Sequence, residues 1–96
     1  MSDYTATLNS LASLAQDLKR AALGLNRGSV HMTQRFLEEA INRREEINVK
    51  HIDPYIREIV TKLTNVLGKR DSDKNAEEIL MYSTLLQNYV TKRSSR

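Results

Sequence analysis

The chain has 96 residues, 40% of them hydrophobic and 28% charged, with three glycines, one proline and no cysteine. That balance fits one globular domain and excludes an intrinsically disordered chain, a disulfide scaffold and a thiolate metal site. The net charge is +3 and the pI about 9.4, an excess of base too small by itself to mark a polyanion-binding protein.

The opening residues, Met1 to Tyr4, lack the basic flank and apolar core of a signal peptide. The longest charge-free apolar stretch, residues 79–91, contains Ser83, Thr84, Gln87 and Asn88. It falls short of the roughly 20 apolar residues that a bilayer span needs. The expectation is a cytoplasmic protein with no membrane segment.

Apolar residues recur in steps of three and four, which predicts four helices at about 5–26, 30–48, 54–67 and 76–92. The first has the seam Met1, Tyr4, Leu8, Leu11, Ala15, Leu18, Ala22 and Leu25, with Leu14 and Leu23 at its margins. Gly28 is expected to stop it in a left-handed conformation, with Gly24 as an earlier alternative. The second begins after Ser29 as N-cap and has the seam Val30, Thr33, Leu37, Ala40, Arg44 and Ile47, widened by Phe36 and Ile41. On its outer face Arg35 can pair with Glu39, and Glu39 with Arg43.

The third helix opens with Asp53 as N-cap and Pro54 in the first turn, where proline is tolerated. Ile56, Ile59, Leu63 and Val66 form its seam, Val60 and Leu67 lie beside it, Ile52 continues it backwards, and Gly68 follows as a stop. The fourth is led by Asn75 with Glu78 three residues on, the polar spacing of a capping box. Its seam is Ile79, Tyr82, Leu86 and Tyr89, extended by Met81, Leu85 and Val90. No stretch alternates as a strand would. The short links make successive helices antiparallel neighbours, so the expected fold is a single all-α domain, 1–96, an antiparallel four-helix bundle with residues 93–96 as a frayed basic tail.

The fourth helix has apolar groups around roughly half its circumference, more than the ~100° stripe of a typical surface helix. Either it is the most central helix of a monomeric bundle, or one flank packs inward and the other binds a second chain. A symmetric homodimer is the default partner. On the second reading Leu80, Met81, Leu85 and Tyr89 are the contacts.

The doublets Lys19-Arg20, Arg43-Arg44, Lys69-Arg70 and Lys92-Arg93 fall towards the ends of predicted helices, where cations offset the macrodipole. One concentration stands out. Between Leu18 and Leu37 lie Lys19, Arg20, Arg27, His31 and Arg35 with no acid among them. This first interhelical turn is the candidate anion or nucleic-acid contact.

Arg44 occupies a seam position, which predicts a side chain reaching along its stem to water, with a buried ion pair as the alternative. His31 and His51 have no carboxylate or histidine at metal-binding helical spacing, and no phosphate loop or nucleophile motif is present. No catalytic residue, cofactor, metal or small-molecule substrate is expected. The function expected is a non-enzymatic interaction or assembly module, with a nucleic-acid-associated regulator as the alternative.

Overall fold

The computed structural model describes residues 3–47, 52–70 and 74–94. They form four helices, α1 (Asp3–Arg27), α2 (Val30–Glu46), α3 (Pro54–Leu67) and α4 (Ala76–Ser94), and no strand occurs among them. The 39 × 22 × 19 Å envelope is one α1 long, about 37 Å at 1.5 Å per residue, and two helices wide in each direction. Successive helices run antiparallel, the expected bundle. Asp17 of α1 faces Arg43 of α2, Ala15 of α1 faces Ser83 of α4, and Asp53 beside α3 faces Arg93 of α4.

The turn between α1 and α2 is made by two residues. Gly28 has φ +69, the left-handed conformation that a Cβ disfavours. Its N–H donates to the Leu25 carbonyl and that of Ser29 to the Gly24 carbonyl, which together close a Schellman motif. Ser29 then caps the next helix, its Oγ accepting from the Met32 N–H at 3.2 Å. Gly28, and not Gly24, is therefore the stop.

Gly24 has a different role. A Cβ built on it would lie 2.6 Å from Thr33 Oγ1 and 2.9 Å from the Thr33 backbone nitrogen. The α1 and α2 backbones approach there because Gly24 has no side chain to hold Thr33 away.

α1 is the centre of the bundle, a place the sequence had offered to the fourth helix. Its buried positions run from Gly24 and Asp17 through Ala21, Leu14, Leu18 and Leu11 to Ala22, Ala15 and Leu8. At 100° per residue they cover about 200° of its circumference. Leu14 and Ala21 are fully buried, whereas Leu23, placed with Leu14 at the seam's edge, is 39% exposed.

One side of α1 packs on α2 and the other on α4, where Ser83 Oγ donates to the Ala15 carbonyl at 2.6 Å. The alanines and Ser83 allow that approach. α3 is joined to its neighbours through longer side chains, all six of Ile56, Ile59, Val60, Leu63, Val66 and Leu67 being buried.

Several ends differ from expectation for local reasons. α2 stops at Glu46 with Ile47 extended, short of the predicted 48, and Asn48 lies outside the described residues. Asp53 takes the N-cap position of α3, but its carboxylate makes no cap bond and turns to α4 instead. Gly68 is the C-cap of α3 with ordinary right-handed geometry. At α4, Asn75 Oδ1 accepts from the N–H groups of Glu77 and Glu78. The Glu78 carboxylate is drawn to Lys69 at 3.5 Å. α4 continues to Ser94, with Arg93 tied to Asp53 at 2.8 Å, so 93–94 are helical where fraying was expected. Residues 95–96, Met1 and His51 lie outside the described residues.

Candidate functional site

α4 sets the surface of interest. From Ile79 to Thr91 it contains no charged residue, yet Leu80, Met81, Thr84, Gln87 and Asn88 are exposed. Charge depletion on an exposed helix face is a feature of interface cores. The buried positions of α4, from Tyr89 and Tyr82 through Leu86 and Ile79 to Ser83, span only about 120°. Its remaining apolar groups therefore fall on two opposite flanks.

Leu80, 41% exposed, lies on the α1 side. Half-buried Leu85 lies on the α3 side in a groove shared with exposed Tyr55, and Met81, 47% exposed, precedes Leu85 by one helical turn. The four expected contacts are thus split between two faces.

Tyr89 departs furthest from the role of a contact. It is buried, and its hydroxyl donates to Asp53 Oδ2 at 2.8 Å. Burial first, then hydrogen bonds to Tyr4 and to the Asp53 carboxylate, push its phenol pKa upward. Arg93 donates to the same Asp53 oxygen and lies 5.0 Å from the centroid of the Tyr89 ring. This cluster latches the start of α3 to the end of α4. Tyr89 is a structural anchor whose edge contributes to a groove beside Leu85 and Lys92.

The five residues of the basic first turn are not gathered around one point. α1 extends to Arg27, so Lys19 and Arg20 sit two turns before its end, beyond the reach of the helix terminus. They line a groove of about 490 Å³ between α1 and α4, together with Leu23 and Leu80. Arg20 and Arg35 lie 5.4 and 5.3 Å from the centroid of the Phe36 ring, and Arg35 pairs with Glu39 at 3.9 Å. Arg27 and His31 are exposed at the α1–α2 end of the bundle. Arg44 reaches across to α3, donating to Thr64 Oγ1 at 3.0 Å, while its Nε is buried without a partner. It thus takes neither a buried ion pair nor simple exposure.

A polar pair was missed by the reading of the sequence. Asp17 of α1 is 5% exposed, its Oδ2 is buried without a hydrogen-bond partner, and its neighbour on α2 is a second carboxyl, Glu39. Its pKa is raised from 3.8 to about 6, first by burial and then by the neighbouring Glu39 carboxyl, against the pull of Arg43 and Arg20. Arg43 stands 4.0 Å from Asp17 and 3.4 Å from Glu46, so it turns from the expected Glu39 pairing. The signal was present: Asp17 shares a stripe with Leu14 and Ala21, both fully buried.

The folded state holds this proton more tightly than the unfolded chain. The stabilisation is therefore fully present below the unfolded pKa of 3.8 and lost as pH rises through about 6. Asp17→Asn is expected to raise stability at pH 7.5 by about 1–3 kcal/mol and to leave it little changed at pH 4.5. Urea midpoints of both chains at the two pH values test this. Equal gains at both would show that the carboxyl does not titrate between them.

Among the described residues no group of three His, Asp or Glu side chains is placed to hold a metal ion. No helix there is long and apolar enough to cross a membrane. Comparison with known proteins finds no matching family model, no matching curated protein and no matching solved structure.

Proposed function

We propose that this chain is a non-enzymatic helical interaction module, with α4 as its main contact element. The observation that carries the reading is the uncharged exposed surface of α4 over residues 79–91, with large apolar groups on both flanks. A core that already wraps α1 leaves Leu80 and Met81 only partly covered, 41% and 47% exposed. Covering such groups with a second molecule removes apolar area from water, the usual driving force of association.

The α3–α4 flank of Tyr55, Met81 and Leu85 is the better surface for self-association. The charges lining it are of both signs, Asp53 with Lys92 and Arg93, so a two-fold contact there can set a carboxylate against the partner's cations. Sedimentation equilibrium tests the proposal. The native chain is expected to dimerise in the micromolar range. Met81→Glu is expected to weaken the dimer at least tenfold without changing the far-ultraviolet dichroism, since Met81 is half exposed. A native chain that stays monomeric at several hundred micromolar ends the self-association reading.

The second reading is a nucleic-acid-associated regulator. Lys19, Arg20 and Arg27 share the exposed side of α1 with no acid between them, which favours an anion. Against it, Arg35 is paired with Glu39 and the chain's one phenylalanine is flanked by two guanidiniums. Binding to duplex DNA that falls steeply with salt would be its mark.

A further inference from the structure

We propose that the groove between α1 and α4 docks an acidic amphipathic helix from another protein. This rests on the interaction-module reading and names the partner class for a face distinct from the α3–α4 flank.

The groove is open, about 490 Å³ in volume, and runs between two antiparallel rods. Leu80 from α4 and Leu23 from α1 give it an apolar floor, 41% and 39% exposed. Lys19 and Arg20 stand on the α1 rim, and the rest of the surface is uncharged, chiefly Gln16, Thr84 and Gln87. Among the described residues no carboxylate lines it. Asp17 is buried towards α2, and Glu77 lies about a turn before Leu80 at the start of α4. A helix laid in such a groove presents apolar anchors at three- and four-residue spacing to the leucines and carboxylates to the cationic rim.

Charge decides among the occupants. Among the described residues, a second copy of the same face brings no carboxylate to Lys19 and Arg20, so a two-fold contact here sets cations against cations. A nucleic acid would use the two cations and leave the leucine floor wet. Phe36 is flanked by Arg20 and Arg35 and offers no stacking surface. An acidic amphipathic segment satisfies both the floor and the rim.

The test is fluorescence anisotropy with a labelled 18-residue helical peptide carrying leucines along one stripe and glutamates beside it. Its comparison probes are the same peptide with lysine for every glutamate, and an 18-nucleotide DNA. The acidic peptide is expected to bind at least tenfold more tightly than either. Lys19→Glu and Leu80→Asp are each expected to weaken it about tenfold. Lys92→Glu, at the other end of α4, should change it less than twofold. Lys19 is exposed, so its variant reports on the rim without disturbing the core.

Equal binding of the acidic and basic peptides, binding indifferent to Lys19→Glu, or tighter binding of DNA would each overturn the proposal. A chain that dimerises through Met81 yet ignores the acidic peptide sinks the groove alone. One that binds the peptide but never dimerises sinks the self-association alone.

Discussion

Gly24→Ala is expected to destabilise the bundle by about 2–3 kcal/mol, the typical upper cost of forcing extra volume into a packed interior. In an exposed helix the same change would stabilise by roughly 0.5–1 kcal/mol, because alanine loses less backbone entropy. The sign reverses because the added Cβ would lie 2.6 Å from Thr33 Oγ1 and 2.9 Å from the Thr33 nitrogen. The hydroxyl is itself fixed, donating to the Ser29 carbonyl at 2.7 Å, and the nitrogen belongs to the α2 backbone. Neither can step aside alone, so α2 must shift as a unit. Gly28→Ala is the control. Nothing lies within 4 Å of its added Cβ, so it should cost only the left-handed strain, about 1–2 kcal/mol. Thermal melts of both variants rank them, and a neutral Gly24→Ala would show that the two helices do not meet as closely as described.

Leu14→Ala is expected to cost about 3–4 kcal/mol, lowering the melting temperature by roughly 12–25 °C. Leu14 is fully buried on the central helix, and deleting its side chain leaves a cavity that α1, wrapped on both sides, cannot collapse to fill. Leu23→Ala, at 39% exposure, should fall within about 0.5 kcal/mol of the native chain. The two leucines are on the same helix and were indistinguishable at the seam's margin, so the contrast isolates position. Comparable losses from both would mean that α1 is not the central element.

The difference between those leucines also shows what spacing can and cannot reveal. The heptad rhythm located all four helices, and every residue named for the third seam is buried. Rhythm alone does not say how many neighbours a helix has. α1 takes two close ones because Gly24, Ala15, Ala21 and Ala22 are small, and small residues register weakly on a hydrophobic stripe. Its buried arc is therefore wider than its seam, and that extra width holds Leu14 and Asp17.

Of the two readings of α4, central rod or helix with a flank to spare, the first describes α1 instead. Leu80 and Met81 were legible as surplus, but their placement on opposite flanks depends on which way α4 faces α1. Tyr89 read as a contact because nothing in the sequence says that Asp53 would leave its cap for a phenol 36 positions away.

The two-sided packing of α1 bears on synthesis. Its neighbour on one flank follows after two residues, so that hairpin can close as soon as it leaves the ribosome. The other flank belongs to the fourth helix, made much later, with Ser83 meeting Ala15 across 68 positions. A nascent chain halted after residue 70 carries a naked greasy stripe along its first helix. The half-made protein is therefore the form most prone to clump or to need a chaperone.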